Sequence, residues 1–134
     1  MPQRKSRGAA AYDVQCIVNA PAGQAIVPPG GTIILGTGLA VEMPPRWCIK
    51  ALSRSGHGFK LDVSLSNSVG LMDEDFRGEL LIKLRNDGCD PFPVKTGDHV
   101  AQFLFEPVYD VALVWADELS ATEAVKTERE LSHE

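Results

Sequence analysis

The chain has 134 residues, 44% of them hydrophobic, and a formal net charge of −5. This length fits one domain with a buried core, and the negative charge argues against direct nucleic-acid binding. We expect no membrane segment and no signal peptide, because no apolar run approaches the roughly 20 residues that span a bilayer and none follows the basic N-terminus. The three cysteines, Cys16, Cys48 and Cys89, are scattered and odd in number. Their pattern argues against a disulfide framework or a zinc site and favours the reducing cytoplasm.

The first half of the chain alternates between strand-like segments and turns rich in proline or glycine. Strands are predicted at 12–18, 32–43 and 46–53. Turns are predicted at 20–23, 27–31, 44–45 and 54–58. Along the first strand, one face carries Tyr12, Val14, Cys16 and Val18. Little helical period is present in this half.

The second half continues the same pattern around a central hairpin. Alternating or apolar strand-like segments are predicted at 59–64, 80–84, 99–105 and 111–115, with turns at 86–88 and 94–98. Leu80, Ile82 and Leu84 share one face of their strand. Short strands spaced at about ten residues indicate an all-β sandwich or barrel. The pattern itself does not distinguish a jelly roll from an immunoglobulin-like sandwich.

The central hairpin, residues 67–79, combines features that could bind a flat polar ligand. Its sequence is Asn-Ser-Val-Gly-Leu-Met-Asp-Glu-Asp-Phe-Arg-Gly-Glu, so apolar residues lead into an acidic cluster and an aromatic ring. Gly70 allows either a positive φ or a close approach to the main chain. By itself, the string fits equally a strand that ends in a solvated acidic turn.

Four motifs of the chain, in order, resemble those of the trimeric dUTPase family. The family's third motif, of the form G-x-I-D-x-x-Y-x-G-E, reads here as residues 70–79. The other three are Ala11-Tyr12-Asp13-Val14, Arg54-Ser55-Gly56 and Gly97-Asp98-His99-Val100-Ala101-Gln102. The resemblance covers about residues 8–118. It implies the family's fold, an all-β distorted antiparallel jelly roll (the dUTPase-like β-clip), over 1–118, with a charged tail at 119–134.

The resemblance implies Mg²⁺-dependent hydrolysis of dUTP to dUMP and pyrophosphate, which limits uracil in DNA. Asp73 would be the general base that activates a water molecule. Its neighbours Glu74 and Asp75 occupy variable positions of the motif and are interpreted as solvated charges. Asp13 would hold Mg²⁺ through a water molecule, since this ion keeps several waters and needs few carboxylates. Without the family, Asp13 would be interpreted as a turn cap.

The remaining implied site residues bind the substrate. Phosphate is assigned to Arg54, Ser55, Gly56 and Gln102. Uracil is assigned to Asn67 and the main chain of Gly70, Leu71 and Met72, with Leu81 beside the pocket. Phe76 stands where the family has tyrosine, whose ring packs on the deoxyribose, so we expect sugar discrimination to survive. Structural interpretations also exist: a surface turn at 54–56, an outward polar Gln102 and a core aromatic at Phe76.

The chain departs from the family pattern at both ends. Ala10 precedes Ala11-Tyr12-Asp13 where the family often has Ala-Gly-Tyr-Asp, and only a short basic segment comes before it. The family's fifth motif, a glycine-rich arm of the form R-G-x-G-G-F-G-S-T-G, has no counterpart, because 121–134 contains no glycine. A capping box at Ser120–Glu123 begins a run of helix-forming residues with mixed charge. The tail is therefore predicted as either a short helix or a disordered segment.

Three functions remain as hypotheses at this point. The first is a dUTP diphosphatase acting as a homotrimer with shared active sites. The second is a nucleotide-binding regulator with weak catalysis, suggested by the missing arm. The third is a related dCTP deaminase, ranked lower because those enzymes rely on a glutamate in the site. Release of pyrophosphate or ammonia from dUTP and dCTP distinguishes the three.

Overall fold

The computed structural model describes residues 1–120, and strands make up most of the regular secondary structure in this part of the chain. The strands are β1 (Tyr12–Gln15), β2 (Gln24–Val27), β3 (Thr32–Leu35), β4 (Trp47–Ser53), β5 (Val63–Leu65), β6 (Gly70–Met72), β7 (Ile82–Asn86), β8 (Phe92–Lys95) and β9 (His99–Pro107). One short helix, α1 (Ser55–Leu61), lies between β4 and β5. The described residues include no helix with the length and apolar character that crossing a bilayer requires.

The strands pair into three antiparallel sheets. The largest has the order β1-β9-β4-β6, the second β3-β7-β5, and the third is the two-stranded ribbon β2-β8. Strand β9 is the longest and pairs with β1 on one side and β4 on the other. The first, third and fourth motifs are thereby carried on one sheet or at its ends. The prediction of an all-β antiparallel protein is confirmed.

The core forms from alternating side chains of these sheets. The most deeply buried residues include Val14, Ile49, Leu84, Val100 and Phe103. Two predicted strand faces are confirmed by burial: Val14, Cys16 and Val18 in the first, and Leu80, Ile82 and Leu84 in the second. The period of two thus reports correctly which residues face the core.

The turn predicted at 54–58 is wrong, because α1 occupies 55–61 and only Val63–Leu65 of the alternating segment that follows is a strand. The carbonyl of Arg54 accepts hydrogen bonds from the amides of His57 and Gly58, closing the first turn. Asp62 ends the helix with φ of 52°, and its amide bonds to the carbonyl of His57. None of the helical residues is buried. Consequently no apolar period marks the helix in the sequence.

The strand predicted at 12–18 ends at Gln15, and two other predicted strands are shorter or absent. The run 32–43 is a strand only as far as Leu35, since the amides of Thr37 and Gly38 bond to the carboxylate of Glu79 instead of a neighbouring strand. The strand predicted at 111–115 is wrong for the described chain, where these residues belong to no sheet and Leu113 is 92% exposed. The helix or disordered tail predicted for 121–134 lies outside the described residues.

Candidate functional site

A cavity of about 400 Å³ lies beside β6, at the edge of the largest sheet. Seven of the predicted site residues line it together: Asn67, Gly70, Leu71, Met72, Asp73, Phe76 and Leu81. Leu81 comes from the segment before β7, whereas the other six belong to the hairpin. The fold therefore brings Leu81 to the same cavity as the hairpin residues.

Gly70 is favoured by a close approach of side chains rather than by an unusual backbone conformation. Its φ is not positive, unlike that of Gly38 or Gly97. A Cβ at this position would lie 3.1 Å from the Cβ of Ala51, its partner on β4, and 3.4 Å from Nδ2 of Asn67. The glycine lets the hairpin lie flat on β4 and leaves Asn67 at the cavity.

The acidic cluster separates into residues with different surroundings. Asp73 lines the cavity, and Glu74 and Asp75 do not. A carboxylate oxygen of Glu74 accepts the backbone N–H of Arg46, which ties the turn to the start of β4. The amide of Phe76 donates to the carbonyl of Asp73 at 3.2 Å, closing the turn that presents both residues. Asp73 is exposed in the single chain, so its desolvation would require a ligand or another chain.

A second group of predicted residues meets across three neighbouring strands. Asp13 of β1 lies opposite Gln102 of β9, and Nε2 of Gln102 donates to Oδ1 of Asp13 at 3.1 Å. Arg54, at the end of β4, has its Nε 3.7 Å from the same oxygen, and its Nη1 donates to the carbonyl of His99 at 3.0 Å. The side chains of Asp13 and Arg54 are 13% and 31% exposed. We call Asp13, Arg54 and Gln102 the arginine cluster.

Helix α1 begins directly beside the arginine cluster. Ser55 and Gly56 are its first two residues, so their amides have no acceptor within the helix. No atom lies within 4 Å of a Cβ built on Gly56, so the space next to this residue is open. The Arg54-Ser55-Gly56 motif thus presents a guanidinium, a hydroxyl and two amides at one end of the sheet.

Two residues near these groups were not assigned roles from the sequence. Glu79 lines the cavity and its Oε1 accepts the amides of Thr37 and Gly38, at 3.0 and 2.8 Å. His57 of α1 has its Nε2 3.3 Å from Nη1 of Arg54. The third motif includes Glu79 and could have pointed to it. Nothing in the sequence pattern indicated the contact of His57, because it depends on the unpredicted helix.

The cavity and the arginine cluster are separate on one chain. None of Asp13, Arg54, Ser55, Gly56 or Gln102 lines the cavity in the described structure. The sheet order β1-β9-β4-β6 puts Asp13 three strands from Gly70, or roughly 14 Å at the usual strand spacing. Each half of the predicted site is assembled, but the two halves do not face one enclosed space within the chain.

The residues around Asp13 suit a metal ion that is held mainly by water molecules and by the phosphates of a bound substrate. Among the described residues, no three histidine, cysteine or acidic side chains come together as a metal site. Both contacts of Asp13 use Oδ1, which leaves Oδ2 for a water molecule. A single carboxylate fits Mg²⁺ that is bound through water and through phosphate oxygens. It does not fit an ion held by protein ligands alone.

The fold and the cavity define a class of antiparallel β protein in which an edge hairpin offers main-chain groups, an aromatic ring and the carboxylate of Asp73 to a small molecule. The second carboxylate at the cavity, that of Glu79, accepts the amides of Thr37 and Gly38. The family model described as dUTPase matches residues 1–132, and the chain belongs to the dUTPase family. The deoxyuridine 5'-triphosphate nucleotidohydrolase of Desulfitobacterium hafniense is 37% identical over 123 residues, covering 91% of this chain and 80% of the relative. That of Aeromonas salmonicida is 36% identical over 124 residues, covering 92% and 80%.

Solved structures agree with the fold. A mutant dUTPase of Staphylococcus bacteriophage 80alpha with dUpNHpp has a TM-score of 0.77 at 20% identity, covering 92% of this chain and 85% of that one. A mutant dUTPase of phage phi11 of S. aureus, described with a coordinated structural Mg(II) ion, has a TM-score of 0.74 at 21% identity, covering 88% and 90%. These similarities confirm the predicted jelly roll.

Proposed function

We propose that this protein hydrolyses dUTP to dUMP and pyrophosphate, and thereby limits the uracil available to DNA synthesis. The observation that carries the proposal is the common cavity of the hairpin residues, from Asn67 to Leu81, in a chain of the dUTPase family. Asp73 is the one member of the acidic cluster that reaches this cavity. A binding pocket and a candidate base therefore occur together.

Strand β6 is suited to recognising a nucleotide base by main-chain hydrogen bonds because it is an edge strand. It pairs only with β4 in its sheet, so alternate N–H and C=O groups on its outer side have no sheet partner. Gly70, Leu71 and Met72 would offer these groups to N3 and the carbonyl oxygens of uracil, and Asn67 would add its amide. Cytosine reverses the donor and acceptor there and would leave buried groups unpaired. Phe76 and Leu81 supply the apolar walls.

The chemistry divides between the two halves of the site. Asp73 would take a proton from the water that attacks the α-phosphate. The guanidinium of Arg54, the hydroxyl and amide of Ser55, the amide of Gly56 and the side chain of Gln102 would bind the phosphates and hold them in line. Asp13 would hold Mg²⁺ through water, and the bound ion would neutralise charge on the phosphate oxygens. The contacts of Asp13 with Arg54 and Gln102 keep these groups aligned before substrate binds.

We further propose a homotrimer in which neighbouring chains complete each site. The separation of the cavity from the arginine cluster supports this arrangement, because a second chain would bring the missing half. Residues 108–119 also carry a row of exposed apolar side chains: Val108, Tyr109, Val111, Leu113, Val114, Trp115 and Leu119. Single chains rarely leave such a segment uncovered. A cytoplasmic location is also proposed, where the thiols of Cys16, Cys48 and Cys89 would stay reduced.

The test is a product assay with purified protein, Mg²⁺ and either dUTP or dCTP. We expect pyrophosphate from dUTP, little from dCTP, and no ammonia from either. Ammonia from dCTP would identify a deaminase. Tight dUTP binding with turnover no faster than in an Asp73→Asn variant would identify the regulator suggested by the missing glycine-rich arm.

A further inference from the structure

Helix α1 places a histidine against the arginine of the proposed phosphate site. Nε2 of His57 lies 3.3 Å from Nη1 of Arg54, and the ring meets Phe92 of β8 edge-on, with centroids 5.2 Å apart. Nδ1 is shielded from solvent and has no hydrogen-bond partner in the described structure. The imidazole is therefore wedged between an apolar ring and a guanidinium.

The contact with Arg54 determines which imidazole nitrogen carries the proton. A guanidinium has only donors, so Nε2 must be the acceptor and the ring must be neutral, with its proton on Nδ1. That N–H then points into the protein without an acceptor. A second proton on Nε2 would remove the hydrogen bond and bring two positive groups together. The contact with Arg54 thus favours the Nδ1–H tautomer, although that tautomer leaves a buried N–H without an acceptor.

The surroundings of His57 favour this neutral form. Burial lowers the pKa of His57 below its ordinary value of about 6.5, and the positive charge of Arg54 lowers it further. The carboxylate of Asp98, in the turn before β9, acts in the opposite direction. Phe92 of β8, which packs on the imidazole ring of His57, carries no charge that could change the pKa of His57. At neutral pH the imidazole is uncharged and available as an acceptor.

Arg54 is restrained on three sides. The carboxylate of Asp13 lies 3.7 Å from Nε, the carbonyl of His99 accepts from Nη1 at 3.0 Å, and Nε2 of His57 lies 3.3 Å from the same Nη1. Of these three contacts, only the one with His57 depends on a neutral group, and protonation of the imidazole would remove it. The other two persist when the imidazole becomes charged in mild acid.

We propose that His57 is a positioning residue, which in its neutral Nδ1–H form holds the guanidinium of Arg54 for the phosphates and makes triphosphate binding acid-sensitive. The effect on triphosphate binding rests on the proposed function, whereas the contact between His57 and Arg54 does not. His57 touches no reacting atom and acts through Arg54. Its protonation would weaken binding of the triphosphate more than that of the monophosphate.

The first experiment is independent of catalysis. Two-dimensional ¹⁵N NMR of the histidine side chains, with the His57 signals assigned by their loss in His57→Phe, reports the tautomer and its pKa. We expect a bare Nε2 and a protonated Nδ1 at neutral pH. A protonated Nε2 in the neutral ring would overturn the inference whether or not the protein hydrolyses dUTP.

The second experiment compares pH profiles of three proteins. His57→Phe keeps a ring against Phe92 but has no acceptor, and His57→Gln keeps an acceptor that does not titrate. Between about pH 7.5 and about pH 5 we expect the KM for dUTP to rise about fivefold more in the wild type than in either variant, because the lowered pKa of His57 delays protonation of the ring to below its ordinary range. At about pH 7.5 the glutamine variant should resemble the wild type, and the phenylalanine variant should have a raised KM.

The outcomes separate the two proposals. A wild type without dUTP hydrolysis would contradict the proposed function, while the NMR measurement would still decide the pairing of His57 with Arg54. An active wild type whose pH profile matches that of His57→Phe would overturn the positioning role. A parallel competition assay with dUMP, in which Ki should change less than about threefold over the same range, excludes a general effect on the cavity.

Discussion

The phenyl ring of Phe76 lies directly over Gly78, so that a Cβ on the glycine would approach Cζ of the ring to 2.8 Å. No Cβ makes such a contact without displacing its neighbour. The φ of Gly78 is not positive, so the backbone itself would accept a side chain. The glycine of this motif therefore sets the height of the aromatic ring above the turn, and through it the shape of the cavity.

Gly78→Ala is expected to weaken nucleotide binding while leaving stability nearly unchanged. The half-exposed ring of Phe76 can move away, so the free energy of unfolding should fall by less than about 1 kcal/mol. The displaced ring would intrude on the cavity and raise the Kd for dUMP about tenfold. Calorimetric titration and chemical denaturation measure the two effects.

Gly8→Ala is the matched control for this substitution. A Cβ there meets no atom within 4 Å and its φ is also not positive. Its dUMP affinity should equal that of the wild type. Equal affinity in Gly78→Ala would show that the position of the Phe76 ring does not matter for binding.

Asp73→Asn should abolish hydrolysis and leave dUTP binding largely intact. The amide is nearly isosteric but cannot take a proton from water, so kcat should fall at least about a hundredfold. Asp75→Asn removes the same charge from a residue that does not line the cavity, and it should retain most of the activity. A loss near tenfold or none in Asp73→Asn would exclude Asp73 as the base.

Arg54→Ala should weaken binding of the triphosphate more than that of dUMP. A hydrogen bond to a charged group contributes roughly 1.5–3 kcal/mol, or about ten- to a hundredfold in affinity for a non-hydrolysable dUTP analogue. Arg85→Ala, which removes an exposed arginine paired with Asp87 at 2.8 Å, controls for the loss of charge. An equal fall for analogue and dUMP would make Arg54 a structural residue.

Deletion of the chain after Leu119 should change kcat/KM for dUTP by less than about tenfold, or roughly 1.4 kcal/mol of transition-state stabilisation. The deleted tail contains neither glycine nor phenylalanine, and its glutamates would repel a triphosphate. Steady-state kinetics and light scattering together decide the matter. A hundredfold loss from an intact trimer would mean that the tail takes part in catalysis.

Local sequence patterns account for much of the fold. Alternation reveals a buried face wherever one side of a strand packs on the core, as for Leu80, Ile82 and Leu84. The turn at Asn86 was also predictable, because asparagine caps such turns with its own side chain, and its Oδ1 here accepts the amide of Gly88 at 3.0 Å. These features depend on interactions within a few residues.

The features that the sequence does not reveal depend on distant partners. The early end of β3 results from Glu79, which binds the amides of Thr37 and Gly38 about 40 positions away. Helix α1 buries no residue and therefore leaves no apolar period. The individual roles of the hairpin residues could be assigned in advance only through the motif. Their joint cavity follows from the register of Gly70 with Ala51 on β4.

In the proposed homotrimer, the distance between the cavity and the arginine cluster means that the two halves of each site come from neighbouring chains. Two impaired proteins, one with Asp73→Asn and one with Arg54→Ala, would then carry their defects in different halves. Unfolding and refolding them together in equal amounts should give about one quarter of sites with both halves intact. At a dUTP concentration too low to saturate Arg54→Ala, the refolded mixture should be more active than either preparation alone, as in complementation between mutant alleles.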